Sequence, residues 1–265
     1  MRICFLLESG APPRLNPIVA EAMTLLEGRG IKGFSLYPEE ALIRLDTLKV
    51  EADLYLLKSD TELALSLATA LEGLGARVLN RASASALARN KVLAAVLLHR
   101  AGIPTPRSFM AAAPSRMEKE LKSGPLIFKP HRGYHGAGIR IAEKAAAIPT
   151  DEVYPDLVFS QKYFPAARKD LKVFAIGEAV FGVRKPFSSG SYLVAGQPAF
   201  LSPEVEEIAR RCGACFGLEL YGLDLVENET GVFVVDVNYF PGYRGVPEAP
   251  RRLADHIIHR MREEG

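Results

Sequence analysis

Residues 224–245 read DLVENETGVFVVDVNYFPGYRG. Branched apolar residues over Leu223–Val226 and Val232–Val237 predict two strands. Glu229-Thr230-Gly231 between them predicts a three-residue turn, with glycine where the backbone needs positive φ. That turn sets Asn228 opposite Val232, and counting back sets Asp224 opposite Asp236. Side chains alternate along a strand, so Asp236 and Asn238 share a face. Two carboxylates and one amide oxygen at one spot suit a hard cation such as Mg²⁺, completed by water and phosphate oxygens. The competing reading is a solvated strand face. Asp and Asn are depleted in strands, however, and here they interrupt a run that otherwise reads as buried. A buried carboxylate pair needs a compensating cation. The loop that follows carries two glycines and places Arg244 beside the carboxylates.

The chain has 265 residues, enough for one compound domain or two to three small lobes. A net charge of +2 supplies no general basic field, so nucleic-acid binding is not expected. No apolar run reaches transmembrane length, and no membrane association is expected. The N-terminal MRICFLLESG reads as a buried strand, since Glu8 follows its short apolar run at once. Three cysteines, Cys4, Cys212 and Cys215, predict reduced thiols in a cytoplasmic chain. Cys212 and Cys215 form a lone C-x-x-C. Val205, Ile208, Ala209, Cys212 and Phe216 make one helical face, so Cys212 reads as core.

Residues 1 to about 82 alternate strand and helix, with strands at Arg2–Leu7, Ile31–Tyr37, Asp53–Leu57 and Arg77–Leu79. This predicts a small open α/β unit with a mostly parallel sheet. Ligands in such units sit beyond the carboxyl ends of strands. Lys58 and Arg14 are substrate candidates there, with ordinary surface cations as the alternative. Ser83–Ala101 predicts one helix with Leu93, Val96 and Leu97 inside and Lys91 on its polar side. Gly102, Pro104 and Pro106 end it.

The pattern then changes to strands at Arg107–Met110, Leu126–Lys129 and Ile139–Ala142, with a helix at Ser115–Leu121. The loop from Pro130 to Gly138 contains Gly133, His135, Gly136 and Gly138. It is neither a Walker A motif nor a Rossmann fingerprint, because its spacing is G-x-x-G-x-G and a strand follows it. Bare N–H groups in such a loop can fold over phosphates, and Lys129 just before it adds charge. A plain hairpin is the alternative. Val158–Phe164 predicts a strand and hinge. Asp170–Ile176 and Ala179–Lys185 predict a hairpin that gathers Lys172, Arg184 and Lys185. A helix starts at Pro203, and Arg251–Glu264 is a last helix burying Leu253, Ile257 and Met261.

In order, the chain offers Lys91 on a helix, Lys129 on a strand, the glycine loop, the hinge Gln161-Lys162-Tyr163-Phe164, the hairpin DLKVFAIGE, then GLDLV and VVDVNYFPG. This order resembles the ATP-grasp superfamily from about Ala84 onward, and the preceding α/β unit resembles its usual N-terminal domain. The implied fold is α/β (α+β), with a substrate domain over 1–82, a central lobe over 83–160 and a C-terminal lobe over 161–265. RNKVLAAVLLHRAGIPTP and the glycine spacing resemble the ribosomal-protein glutamate ligases and their lysine-biosynthesis relatives, among the glutathione synthetase-type carboxylate–amine ligases. VVDVNYFPGYRGVPE and the hairpin into Lys185-Pro186 resemble the inositol polyphosphate kinases. Ligases commonly carry Glu at the position of Asp236 and at that of Lys162.

The resemblance implies ATP and Mg²⁺, with Mn²⁺ as a substitute. It implies Lys91 and Lys129 on the phosphates, the glycine loop over them, the hinge backbone at Lys162 and Tyr163 on adenine, and Asp170 on the ribose. Asp224, Asp236 and Asn238 would hold the metal. In a ligase a carboxylate is phosphorylated to an acylphosphate, which an amine attacks; Arg184, Lys185 or Arg244 would stabilise the oxyanion. Such a ligase takes small-molecule or peptide carboxylates and amines. In a kinase a hydroxyl attacks and the reaction stops there. The first reading is a carboxylate–amine ligase, the second an inositol-phosphate kinase, and the third a nucleotide-binding module without catalysis.

Overall fold

The computed structural model describes residues 1–10, 15–131, 138–154, 157–164, 169–186 and 195–263. The first of three sheets is parallel. It holds β1 (Arg2–Leu7), β2 (Lys32–Leu36), β3 (Leu54–Lys58) and β4 (Val78–Leu79) in the order β2-β1-β3-β4. Ile3 to Leu7 are all buried, as a continuous apolar run in an inner parallel strand should be. Helices α1 (Pro17–Glu27) and α2 (Glu62–Gly73) start at the side-chain caps Asn16 and Thr61, which accept from otherwise orphaned amides.

The single helix expected over Ser83–Ala101 is two, α3 (Ala82–Arg89) and α4 (Lys91–Arg100). Asn90 breaks them. Its backbone is extended and its side chain accepts from the Val92 and Leu93 amides, capping α4. The break resets the helical phase. Leu93 and Val96 are 44% and 49% exposed, against expectation, and Ala94, Ala95 and Leu98 are the buried residues. Leu97 packs against the core from a partly buried position.

The second sheet is antiparallel: β5 (Ser108–Ala111), β6 (Leu126–Pro130), β7 (Arg140–Ala142) and β8 (Val158–Lys162), ordered β5-β8-β6-β7. Pro114–Ser123 is a 3₁₀ stretch where an α-helix was expected. β8 ends at Lys162, so this sheet runs past residue 160. The third sheet, also antiparallel, holds β9 (Lys169–Ile176), β10 (Ala179–Pro186), β11 (Gln197–Ala199), β12 (Leu220–Asn228) and β13 (Gly231–Tyr239), ordered β11-β10-β9-β12-β13. α5 (Pro203–Phe216) and α6 (Ala249–Arg262) bury the faces read from their periodicity. Burial pushes the Cys212 thiol up to about 12, which suits a core residue and not a reactive one.

The hairpin at the centre of the sequence reading differs in its turn. Asn228 pairs with Gly231, so the loop has two residues, Glu229 and Thr230. The ladder then runs Leu225 opposite Val234 and Asp224 opposite Asp236, with an irregularity between Asp224 and Leu225. Val235 is the extra residue of a β-bulge. The shorter turn and the bulge cancel, and the expected Asp224–Asp236 pairing holds.

The first and third sheets share one core, which runs from Ile3 and Leu56 to Val173 and Leu223. Asn80 fastens them. Buried beside β4, it donates to the Leu220 carbonyl at 2.7 Å and accepts from the Glu219 and Leu220 amides at 2.9 Å each. The second sheet has a separate small core of Met117, Leu126, Phe128, Ala142, Tyr154 and Val158. Asn80→Ala would leave the Glu219 and Leu220 amides without their acceptor and the Leu220 carbonyl with the Phe240 amide alone. It should lower stability by about 2–4 kcal/mol, read by denaturant unfolding, while the far-ultraviolet spectrum stays that of the native chain.

Candidate active site

Register carries one face of the third sheet. Asp224 on β12 pairs with Asp236 on β13 and with Lys172 on β9, and Lys172 pairs with Val183 on β10. Cross-strand partners share a face, and so do residues two apart. Asp224, Asp236, Asn238, Lys172 and Lys185 therefore lie on the same side. Asp170 stands opposite Lys185 in the register. Arg184, adjacent to Lys185, falls on the other side, where it meets Glu227 at 2.6 Å. The hydrogen bond to that carboxylate holds the guanidinium above its usual value. The structure thus separates Arg184 from Lys185, which sequence proximity had grouped.

Two lysines neutralise the carboxylates. Lys91 Nζ donates to both oxygens of Asp236 at 3.0 Å, and Lys172 Nζ donates to Asp224 Oδ1 at 2.6 Å. Lys91 was assigned to a polar helix side; the cap at Asn90 instead sets it in the first turn of α4, aimed at β13. Burial pushes the Asp236 carboxyl up, but Lys91 and Lys129 outweigh it and hold the group below the ordinary carboxylate value. Lys129, near the end of β6, donates to Gln161 Oε1 at 2.7 Å and to the Val235 carbonyl at 3.1 Å. The bulge thus presents a backbone acceptor to this lysine.

Lys185 is 3% exposed. Burial lowers its pKa, and the cations Lys172 and Arg244 add to the effect against Asp224. Arg244 follows β13 in a loop with positive φ at Phe240, Tyr243 and Glu248, conformations that non-glycine residues rarely hold. Three anchors hold the chain there. Tyr239 donates to the Ser59 carbonyl at 2.8 Å, Tyr243 to the Ala175 carbonyl at 3.0 Å, and the Asn16 amide to the Gly242 carbonyl at 3.3 Å. Lys58, at the end of β3, lies over the Phe240 ring with Nζ 5.8 Å from its centroid. The loop therefore brings the third sheet's site to the carboxyl end of the first sheet.

In the hinge, the amides of Lys162 and Tyr163 donate to the carbonyls of Arg107 and Pro125 at 2.9 Å each. These two residues retain carbonyl oxygens, which can accept from an adenine amino group. The Lys162 side chain turns away and donates to the Glu120 and Gly124 carbonyls. Phe164 packs on Phe233 of β13, with ring centroids 4.9 Å apart. Gly138 has φ 74°, and an added Cβ would meet Pro130 Cγ at 2.9 Å, so glycine is required there. Arg14, Gly133, His135 and Gly136 lie outside the described residues.

A model described as the RimK-like ATP-grasp domain matches residues 88–260. The chain belongs to the RimK-like ATP-grasp family. A relative named "Probable alpha-L-glutamate ligase" in Haemophilus influenzae (strain PittEE) is 28% identical over 198 residues, covering 69% of this chain and 66% of its own. The chain thus spans about two thirds of the length of that curated relative. Among solved structures, a RimK domain ATP-grasp protein from Sphaerobacter thermophilus DSM 20745 aligns with a TM-score of 0.76 at 19% identity, covering 97% of this chain and 100% of that one. D-cycloserine synthetase DcsG aligns with a TM-score of 0.79 at 13% identity, covering 99% and 100%. The fold is ATP-grasp, with the family's two antiparallel sheets following the parallel one.

Sequence reading missed three parts of this cluster. Ser108 and the Val235 carbonyl carry no motif, and the ion pairing of Lys91 with Asp236 depends on a helix break that propensity did not show. The pairing has a measurable consequence. A depressed carboxyl pKa stabilises the fold above the unfolded value and loses that contribution as pH falls through the folded one. Lys91→Met removes the ammonium that does most to depress Asp236. Its Asp236 carboxyl should titrate higher by NMR. Stability at neutral pH should drop by about 2 kcal/mol, with a smaller loss on acidification than in the parent.

Proposed function

We propose that this chain is an ATP-dependent carboxylate–amine ligase. The observation that carries the reading is one cluster: Lys91, Lys129 and Lys172 converge from α4, β6 and β9 on Asp224 and Asp236. Cations over strand carboxylates suit a site that exchanges its internal ion pairs for phosphates and metal. Family membership and the named glutamate ligase relative support the same chemistry.

Asp224, Asp236 and Asn238 would hold Mg²⁺, and the fit is chemical: two carboxylates and an amide oxygen on neighbouring strand positions are hard donors. Bound there, the metal supplies charge neutralisation for the terminal phosphates. Lys91 and Lys129 bind and orient those phosphates. The hinge carbonyls take the adenine amino group, and Asp170 takes the ribose. By the resemblance, the glycine loop containing Gly133, His135, Gly136 and Gly138 would cover the phosphates. The acid's carboxylate oxygen attacks the γ-phosphorus, the bond to the β-γ bridging oxygen breaks, and ADP leaves an acylphosphate. An amine then attacks its carbonyl. The tetrahedral oxyanion collapses to an amide with loss of phosphate, and the amine proton passes to solvent.

Lys58, Lys185 and Arg244 would provide cations for the acid substrate, and Lys185 and Arg244 would stabilise the oxyanion, a reading their proximity supports. Arg184 drops from that role, since Glu227 engages it on the opposite face. The substrates are small-molecule or peptide carboxylates with an amine. Residues 1–82 contribute the acceptor side, and nucleotide lies between the second and third sheets. The buried Cys4 and Cys212 thiols suit the reducing cytoplasm.

The test is ADP release with Mg²⁺ over a panel of amino-acid and peptide carboxylates, each with amines, and over inositol phosphates. The expected outcome is amine-dependent amide formation seen by mass spectrometry, with hydroxylamine trapping a hydroxamate. Asp236→Asn should cost at least about a hundredfold in turnover while the native spectrum persists. A phosphoester formed on an inositol phosphate without amine would make the chain a kinase.

A further inference from the structure

Lys129 differs from its two neighbouring lysines in what it touches. Lys91 and Lys172 each donate to a carboxylate. Lys129 is 7% exposed, yet both of its acceptors, the Gln161 side-chain amide and the Val235 carbonyl, are neutral. Among the described residues it forms no ion pair. Burying an ammonium among neutral acceptors costs free energy, and burial pushes Lys129 down to about 8. A carboxylate at position 161 would relieve that cost, and an amide stands there.

Gln161 is itself fixed. It is 4% exposed on β8, and its Nε2 donates to Ser108 Oγ at 3.2 Å. Ser108 Oγ donates its one hydrogen to the Pro106 carbonyl at 2.9 Å. The hydroxyl can then only accept from Gln161, so the glutamine must turn its amino group to Ser108 and its oxygen to Lys129. The relay Pro106–Ser108–Gln161–Lys129 leaves no alternative amide orientation. Two of the three ammonium hydrogens are used, which leaves one hydrogen and the whole charge for a ligand.

We propose that Gln161 is a positioning residue for nucleotide binding: its amide oxygen, oriented by Ser108, holds the Lys129 ammonium toward the phosphates without neutralising it. The role rests on the ATP reading above. Lys91 and Lys172 meet a phosphate with charge that a carboxylate already offsets. Lys129 has no carboxylate bonded to its ammonium, so it offers an arriving triphosphate a charge less offset than theirs. Glutamine at 161 is therefore a choice against stability and for anion affinity.

Gln161→Glu separates this role from a structural one. A merely structural hydrogen bond would be kept or strengthened by the charged acceptor. Calorimetry would measure binding of Mg²⁺-AMP-PNP and of adenosine to the wild type, Gln161→Glu, Gln161→Met and Ser108→Ala, with thermal melts alongside. Gln161→Glu should melt at or above the wild type and lose about tenfold or more in AMP-PNP affinity, with adenosine affinity unchanged. Gln161→Met should lose AMP-PNP affinity through misplacement of the ammonium, and Ser108→Ala should lose a smaller part. Wild-type AMP-PNP affinity in Gln161→Glu, or an equal loss for adenosine, would overturn the proposal and leave the ATP reading intact. If Gln161→Glu does not fold, unchanged AMP-PNP affinity in Ser108→Ala overturns it. A wild-type chain that binds neither nucleotide nor adenosine would overturn both.

Discussion

Two carboxylates face each other on adjacent strands, and the region around them is arranged to supply positive charge. Asp224 and Asp236 are paired in the β12–β13 ladder and partly withdrawn from water, where an uncompensated charge is costly. Their counter-charges come from separate stretches. Lys91 comes from the helix between the first two sheets, Lys172 from the neighbouring strand, and Lys129 from the second sheet through the Val235 carbonyl. Each depends on a local device: an asparagine cap, a strand register, a glutamine acceptor. The site is therefore a meeting of independent elements, and electrostatics sets where they meet.

Patterns with short range were legible in the sequence. β1 was read to the residue, and the strand–helix alternation of residues 1–82 is the one found. The Asp224–Asp236 pairing was also read correctly, although through a turn one residue too long; the bulge at Val235 absorbed the difference. Nothing local announces a bulge, because its cause is tertiary. The Val234 amide donates to the Pro104 carbonyl, and the Val234 carbonyl accepts from Thr105, so a distant segment shapes the strand. The helix break at Asn90 was missed for a related reason. Asn in a helical run costs only a few tenths of a kcal/mol, so propensity alone does not separate an interior position from a cap.

The grouping of Arg184 with Lys185 shows a different limit. Adjacent strand residues point to opposite faces, and the choice of face is made by neighbours. Asp224 draws Lys185 to its side against the repulsion of Lys172, while Glu227 takes Arg184. The basic dipeptide held two candidates for one role, and only the register separates them.

The division into two cores has a mechanical meaning. The first and third sheets form one solid, welded at Asn80 and at the Tyr239 hydroxyl. The second sheet carries its own few large side chains and meets the third through the polar bonds of Lys129 and the Phe164–Phe233 ring contact just past β8. The molecule is thus a heavy anvil with a light jaw. Since the free energy needed to move a part scales with the apolar surface that must be parted, the jaw can swing at a cost well below that of unfolding, while the carboxylates stay seated in the anvil.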